Sequence, residues 1–124
     1  MPPEMIRRRV LVIEDEGMLA MLLEDMLGAL GHEVIGTAGR MDRAARLVSE
    51  TSADVVILDV NLNGEQTYPL AHTLASRGIP FIFATGYGAA GLKEEWRSAP
   101  ALQKPYQAQD LERVMRQAFE RGAA

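Results

Sequence analysis

The sequence predicts an α/β fold: an open, doubly wound parallel sheet with helices on both faces. Short apolar runs alternate five times with stretches of helical periodicity along the 124 residues. The strongest run, residues 55–58, is Val-Val-Ile-Leu, and its lack of polar alternation is typical of a central strand covered on both sides. Five units of this kind favour an open sheet over an eight-unit barrel.

Apolar runs, helical spacing and breakers predict the individual elements. Strands are predicted at residues 10–13, 33–37, 54–59, 80–84 and 101–103. Helices are predicted over residues 19–30, 41–48, 70–75 and 111–119. Residues 61–66 form a polar loop, and residues 86–98, with three glycines, are expected to form a short, loosely held helix. We interpret Met18, Met21 and Met26 as the core-facing and flanking side of the first helix.

Composition indicates a single small domain. We expect one domain over residues 1–124, ordered over about 8–121, without an output domain. The net charge of −4 disfavours direct binding to nucleic acid, and no apolar run is long enough to cross a membrane. Residues 1–5 lack the apolar core of a secretory signal and the chain has no cysteine, which suits a cytoplasmic protein.

Polar side chains capable of chemistry follow four of the predicted strands. Glu14 and Asp15 follow the first strand, and Asp59 ends the third. Thr85 follows the fourth strand, and Lys104 follows the fifth. The carboxyl ends of parallel strands lie along one edge of the sheet, where folds of this class bind their ligands. We therefore expect these five side chains to gather in one site.

The three acids of this group predict a Mg²⁺ site. Carboxylates held close together repel one another unless a cation joins them, and oxygen ligands of this kind suit Mg²⁺. We expect Asp15 and Asp59 to bind the ion directly. The backbone carbonyl of Asn61 would supply a third oxygen, and Glu14 would act through a water molecule.

Lys104 and Thr85 complement the acids. An ammonium group offsets the charge of a phosphoryl group, and a threonine hydroxyl can hydrogen-bond one of its oxygens. Carboxylates are established nucleophiles in phosphoryl transfer, and a metal masks charge as the two anions approach. The residues therefore predict that Asp59 accepts a phosphoryl group and becomes an aspartyl phosphate.

Each of these residues, taken alone, has a plainer interpretation. Acids after a strand often interact with the next helix N-terminus, a lone threonine is more often a turn former, and lysine before proline is more often a surface cation. Their joint position at carboxyl ends of one sheet favours a functional site. His32 and His72 lack ligand-like spacing, and no dinucleotide or phosphate-binding glycine loop occurs, so zinc and nucleotide sites are disfavoured.

Four motifs resemble the receiver domain of two-component response regulators. They are Val-Leu-Val-Ile-Glu-Asp-Glu at residues 10–16, Ile-Leu-Asp-Val-Asn-Leu at 57–62, Ala-Thr-Gly at 84–86 and Lys-Pro at 104–105. The resemblance spans nearly the whole chain, and the four motifs in this order and spacing are highly specific. It implies a flavodoxin-like (βα)5 fold whose five-stranded parallel sheet has the order 2-1-3-4-5.

This resemblance also implies roles for the site residues. Asp59 would be the phosphorylation site, Glu14 and Asp15 the acidic pocket, and Thr85 the switch hydroxyl, with Lys104 as the family's lysine before a cis proline bond. The donor would be a phosphohistidine on a sensor histidine kinase or a histidine phosphotransfer protein. The domain would then signal to a downstream protein or act as a phosphate sink, and no independent enzymatic turnover is expected.

A narrower resemblance and three departures refine these expectations. Residues 80–88, Pro-Phe-Ile-Phe-Ala-Thr-Gly-Tyr-Gly, resemble the FAT GUY subgroup of single-domain receivers, which is associated with alphaproteobacterial stress signalling. Glu14 replaces the commoner aspartate, Asn63 replaces a common proline and is expected to loosen its loop, and Ala101 replaces the aromatic that usually turns inward on activation. We hypothesise that Tyr87 supplies the movable aromatic, because glycines flank it on both sides.

Two other functions share these residues. A Mg²⁺-dependent phosphohydrolase would use similar acids, threonine and lysine, but such enzymes usually have a second acid two residues after the nucleophile, where this chain has Asn61. A pseudo-receiver would bind partners without phosphorylation, and this function is favoured only if Glu14 prevents metal binding.

Overall fold

A computed structural model describes residues 6–123, with side chains as far as residue 120. The expectation that residues 1–5 carry no secretory signal lies outside the described residues. The strands are β1 Arg9–Ile13, β2 Glu33–Ala38, β3 Val55–Asp59, β4 Asn61–Leu62, β5 Glu65–Gln66, β6 Phe81–Thr85 and β7 Ala101–Gln103. The α-helices are α1 Gly17–Ala29, α2 Met41–Glu50, α3 Tyr68–Ser76 and α4 Ala108–Ala123. None of the described helices is long and apolar enough to cross a membrane.

Five parallel strands form the main sheet, in the order β2-β1-β3-β6-β7. Counted along the chain without the two short strands, this is the order 2-1-3-4-5, so the predicted flavodoxin-like fold is confirmed. β3 lies in the middle of the sheet and is buried along its whole length. The register pairs Ile13 with Leu58 and Asp59 with Ala84. The carboxyl ends of β1, β3 and β6 therefore lie side by side.

Alternating side chains of β3 point into two separate cores. Val55 and Ile57 pack in the cluster that contains residues of α1 and α4, whereas Val56 and Leu58 pack with residues of α2 and α3. Full burial of one such side chain stabilises the fold by about 1.5–3 kcal/mol. A strand covered on both faces cannot slip its register without disrupting both cores, so Asp59 at its end has a fixed position.

Helix α1 exposes part of its apolar surface. Leu23 and Leu27 are fully buried, but Met18 and Met21 are 86% and 64% exposed, and Leu22 is exposed as well. The interpretation of Met18 and Met21 as core-facing and flanking residues is therefore wrong. Apolar residues occur around most of this helix, so their spacing alone does not indicate which side is buried.

The segment after β6 forms two short 3₁₀-helices, Gly88–Gly91 and Glu94–Trp96, instead of the expected single helix. The ring of Trp96 stacks on Tyr68 with centroids 6.2 Å apart and meets Phe83 edge-on at 5.7 Å. Glycines disfavour a regular helix here. The aromatic contacts of Trp96 nevertheless attach the segment to the core, and helix propensity gives no information about such contacts. The expectation of a loosely held segment is wrong at Trp96.

The predicted polar loop after β3 is a hairpin formed by β4 and β5. Asn63 and Gly64 at its turn have φ values of +50° and +89°, a left-handed conformation that asparagine and glycine adopt with little strain. Asn63 Nδ2 donates to the Gly39 carbonyl at 3.0 Å, and the Gly64 N–H donates to Asn61 Oδ1 at 2.8 Å. Asn63 closes this turn, which corrects the expectation that it loosens the loop.

Candidate functional site

The carboxyl ends of β1 and β3 bring three acids together. Glu14 and Asp15 follow β1, Asp59 ends β3, and one carboxylate oxygen from each lies within 4.8 Å of the others. Glu14 and Asp59 are buried, and Asp15 is half-buried. Because like charges at this distance disfavour one another's ionised forms, the cluster requires positive charge nearby. We call Glu14, Asp15 and Asp59 the acidic cluster.

Lys104 supplies a positive charge to the acidic cluster. Its Nζ donates to Asp59 Oδ2 at 2.9 Å and lies 3.4 Å from Glu14 Oε1. The Lys104 N–H donates to the Thr85 carbonyl at 3.0 Å, and the Lys104–Pro105 bond is cis, as the resemblance implies. Burial lowers the pKa of Lys104, but the hydrogen bonds and charges of Asp59 and Glu14 together outweigh it and raise the pKa above its usual value. The ammonium group therefore stays charged at neutral pH.

Glu14 is held by three donors from two parts of the chain, the turn after β1 and the loop after β7. The Tyr106 O–H donates to Oε1 at 2.7 Å, Lys104 approaches the same oxygen, and the Glu16 N–H donates to Oε2 at 3.2 Å. Burial, followed by the adjacent Asp59, raises the pKa of Glu14 to about 7, and the Tyr106 hydrogen bond opposes this rise. A metal-free acidic cluster thus reduces its repulsion by retaining a proton on Glu14 near neutral pH.

The β4–β5 hairpin and Thr67, which follows it, orient Asp15 and Asp59. The Asn61 N–H donates to Asp59 Oδ1 at 3.2 Å, and the Asn63 N–H donates to Asp15 Oδ2 at 2.9 Å. The buried Thr67 hydroxyl donates to the Asp59 carbonyl at 2.6 Å. The hairpin therefore fixes both carboxylates, and the main chain of Asn61 lies directly against Asp59.

Thr85 ends β6 at the same edge of the sheet, and its side chain contacts the loop that follows. Its Oγ1 accepts a hydrogen bond from the Tyr87 N–H at 3.1 Å, and the residue is buried, whereas Tyr87 is 81% exposed. Gly91 packs on the hydroxyl so closely that an added Cβ would lie 2.6 Å from Thr85 Oγ1 and 3.0 Å from Tyr87 Cβ. Residues 86–98, which we call the glycine-rich loop, therefore cover Thr85 directly.

The structure brings Glu14, Asp15, Asp59 and Lys104 into mutual proximity, as the strand-end argument predicts. Sequence reasoning does not find Tyr106, although it directly follows the Lys-Pro motif. Its partner Glu14 is 92 residues away, and no local pattern encodes that contact. For Asn63 a signal exists in the Asn-Gly dipeptide, which favours a tight hairpin turn.

The donor set of the acidic cluster fits a hard divalent cation. Three carboxylates and one ammonium group leave an excess of two negative charges when all are ionised. All three acids offer oxygen ligands, which ions such as Mg²⁺ and Ca²⁺ prefer. The cluster can therefore bind a metal ion whose charge balances it.

Comparison with known proteins identifies the family. Residues 10–116 match the family model described as the response regulator receiver domain. The chain belongs to this family. The matched residues run from β1 into α4, so they include the main sheet except for Arg9, the acidic cluster and Lys104.

This receiver domain has relatives among bacterial regulators. It is 36% identical over 110 residues to the transcriptional regulatory protein PdtaR of Mycobacterium tuberculosis, covering 86% of this chain and 54% of PdtaR. It is 34% identical over 118 residues to the phyllosphere-induced regulator PhyR of Methylorubrum extorquens, covering 89% of this chain and 43% of PhyR. The chain thus spans about half the length of these two curated relatives.

Among solved structures, the receiver domain is similar to SdrG of Sphingomonas melonis Fr1. The TM-score is 0.81 at 38% sequence identity, and the match covers 90% of this chain and 95% of the SdrG chain. The architecture described above is therefore shared along nearly the full length of both chains.

We expect the free energy of unfolding of the metal-free protein to fall as pH rises from about 4.5 to about 7, because of Glu14. Its pKa rises from 4.5 to about 7 on folding, so in this window the folded state binds the proton more tightly and loses that advantage as pH increases. Chemical denaturation in chelator across this range measures the slope. Glu14→Gln cannot titrate, and an identical pH dependence in this variant would contradict the assignment.

Gly91→Ala is expected to push the glycine-rich loop away from Thr85, because the new methyl group would overlap Oγ1. Overpacking of this kind costs about 1–3 kcal/mol. Gly86→Ala is the matched control, since nothing lies within 4 Å of its added Cβ. Chemical denaturation measures the cost, and amide NMR shifts of Thr85 and Tyr87 report the displacement. Equal effects of the two substitutions would show that Gly91 is not packed as described.

Proposed function

We propose that Asp59 accepts a phosphoryl group from a phosphohistidine of a sensor histidine kinase or a histidine phosphotransfer protein. The observation that carries this proposal is the 2.9 Å contact between Lys104 Nζ and Asp59 Oδ2 within the acidic cluster. A structural ion pair does not need two further acids beside it. Phosphoryl transfer to a carboxylate is helped by a positively charged side chain and a metal ion, because two anions must approach each other.

Mg²⁺ is the metal that we propose for the acidic cluster. Asp15 and Asp59 would hold it through their carboxylates and Asn61 through its backbone carbonyl, while Glu14 would act through a water molecule. The oxygen donors and the excess of negative charge support this choice. When bound, Mg²⁺ lowers the repulsion between a carboxylate and the phosphoryl oxygens. The Asn61 N–H, at 3.2 Å from Asp59 Oδ1, keeps the nucleophile oriented.

In the proposed reaction, a carboxylate oxygen of Asp59 forms a bond to phosphorus while the P–N bond to the donor histidine breaks, and the imidazole ring keeps that electron pair. Lys104 offsets charge on one phosphoryl oxygen, and the Thr85 hydroxyl donates a hydrogen bond to another. Water later cleaves the aspartyl phosphate and restores Asp59 with release of inorganic phosphate. The domain thus assists its own phosphorylation and dephosphorylation without turning over an independent substrate.

Thr85 and Tyr87 form the proposed switch. The Thr85 hydroxyl is bonded to the Tyr87 N–H, so movement of Thr85 toward a phosphoryl group on Asp59 would pull on the loop that carries Tyr87. Tyr87 is exposed, and its flanking glycines lower the cost of backbone rearrangement. Ala101 stands where the family usually has the movable aromatic, so that role falls to another residue.

The proposed output is a phosphorylation-dependent contact with a downstream protein, or use of the domain as a phosphate sink. The exposed face of α1, formed by Met18, Met21 and Leu22, supports docking of a protein partner, because α1 begins two residues after Asp15. We propose no direct contact with nucleic acid or membrane, in line with the net charge of −4. The cysteine-free sequence is consistent with action in the cytoplasm.

A role in bacterial stress signalling is the finer proposal. The motif at residues 80–88 supports it, together with the likeness to PhyR, a stress response regulator, and to SdrG, of which a BeF3-activated conformation is known. PhyR from Bartonella quintana is an anti-anti-sigma factor. A protein that controls a sigma factor is therefore one candidate class for the downstream partner.

Incubation with Mg²⁺ and acetyl phosphate should add one phosphoryl group to the protein, measured by intact-mass spectrometry. Asp59→Asn should abolish the adduct because it removes the nucleophile, and chelation should abolish it because charge masking is lost. Asp54→Asn, just before the opposite end of β3, is the matched control and should be phosphorylated like the wild type. Absence of any wild-type adduct would favour the pseudo-receiver, and repeated turnover of a phosphoester would favour the phosphohydrolase.

Tyr87→Ala should leave the mass adduct intact while it reduces the conformational response to phosphorylation, because the aromatic side chain that would repack is missing. Amide NMR shifts of residues 86–98 before and after addition of acetyl phosphate measure that response. Tyr87→Phe keeps the ring and should respond like the wild type. A full response in Tyr87→Ala would rule out Tyr87 as the movable aromatic.

A further inference from the structure

Tyr106 connects the loop after β7 to the acid that follows β1. Its ring is buried in the core cluster that contains Val10 and Leu111, and its hydroxyl donates to Glu14 Oε1 at 2.7 Å. A tyrosine side chain has only two rotatable bonds, and packing of the ring fixes both. The position of this hydroxyl is therefore set by the packing of the core.

Glu14 depends on such a fixed donor. Its longer side chain has more rotamers than aspartate, and the nearby Asp59 repels its carboxylate. Lys104 is shared unequally, since its Nζ lies 2.9 Å from Asp59 Oδ2 but 3.4 Å from Glu14 Oε1. The 2.7 Å hydrogen bond from Tyr106 is thus shorter than the contacts that the Glu14 carboxylate makes with Lys104 and with the Glu16 N–H.

We propose that Tyr106 is a positioning residue of the cation site, which holds the Glu14 carboxylate toward the ion through the hydrogen bond from its hydroxyl. This inference rests on the proposed function, because it deepens the assignment of Mg²⁺ to the acidic cluster. Donors that orient the ligands of a metal commonly change its affinity when removed. Burial, followed by the hydrogen bond that its hydroxyl donates to Glu14, raises the pKa of Tyr106 above its usual value, so the hydroxyl remains a donor at neutral pH.

The length of Glu14 is what allows this contact. Replacement by aspartate would withdraw the carboxylate by about one C–C bond, roughly 1.5 Å. From a distance of 2.7 Å, the same hydroxyl would then lie beyond hydrogen-bond range of the shortened side chain. Glu14 and Tyr106 therefore act as a matched pair, and the departure of Glu14 from the commoner aspartate has a structural counterpart at position 106.

A double-mutant cycle tests this pair directly. Wild type, Tyr106→Phe, Glu14→Asp and the double variant are titrated with Mg²⁺, and the dissociation constants are obtained by calorimetry. Tyr106→Phe should weaken Mg²⁺ binding about tenfold in the wild-type background, at the lower end of what loss of an orienting donor costs. In the Glu14→Asp background the same change should alter affinity less than about twofold, because the contact is already lost.

Tyr68→Phe is the matched control. It also removes one hydroxyl from a buried tyrosine, but that hydroxyl accepts from the Lys93 N–H at 3.0 Å and lies in the other core. Its Mg²⁺ affinity should equal that of the wild type. Thermal unfolding of every variant in chelator reports any general loss of stability. If Tyr106 had only a structural role, Tyr106→Phe would lower stability by the same amount whether residue 14 is glutamate or aspartate.

The outcomes separate this inference from the function on which it rests. The positioning role would be overturned if Tyr106→Phe bound Mg²⁺ as tightly as the wild type, or if it lost equal affinity in the Glu14 and Glu14→Asp backgrounds. A phosphoryl adduct on Asp59 of the wild-type protein would still support the phosphoacceptor function in that case. A wild type that neither binds Mg²⁺ nor forms the adduct would overturn both. A tenfold loss confined to the Glu14 background supports the matched pair.

Discussion

Three carboxylates share one ammonium group at the carboxyl edge of the sheet, and their mutual repulsion is the constraint on which this site depends. Glu14 and Asp59 are buried, so solvent screens their charges poorly. Lys104 lies against both acids, yet one positive charge leaves the cluster negative. A fold that holds acids in this way gains affinity for a cation, because binding relieves a repulsion that the surrounding packing maintains.

Rigid parts of the fold maintain that arrangement. β3 is covered on both faces, so the position of Asp59 follows from two cores at once. The hairpin turn at Asn63 orients Asp15, and the buried ring of Tyr106 orients Glu14. The hairpin also donates to Asp59, so contacts from both the hairpin and the loop after β7 hold the three acids in place.

The glycine-rich loop after β6 combines an anchored end with an adaptable one. Trp96 holds the far end in an aromatic cluster with Tyr68 and Phe83, whereas the near end packs on Thr85 through Gly91. A displacement of Thr85 would therefore be taken up around Tyr87, next to the site, while the aromatic cluster stays in place. This division would suit the proposed switch, in which a change at the acidic cluster alters the surface around Tyr87.

Sequence patterns account for the five parallel strands and for the gathering of Glu14, Asp15, Asp59 and Lys104, because apolar runs define strands and parallel strands end at one edge. Tertiary structure decided which side of α1 is buried and how Trp96 attaches the segment after β6. The hydrogen bond between Tyr106 and Glu14, which are 92 positions apart in the chain, also depends on tertiary structure. Periodicity describes one element at a time, whereas these features depend on which neighbouring surface each element meets.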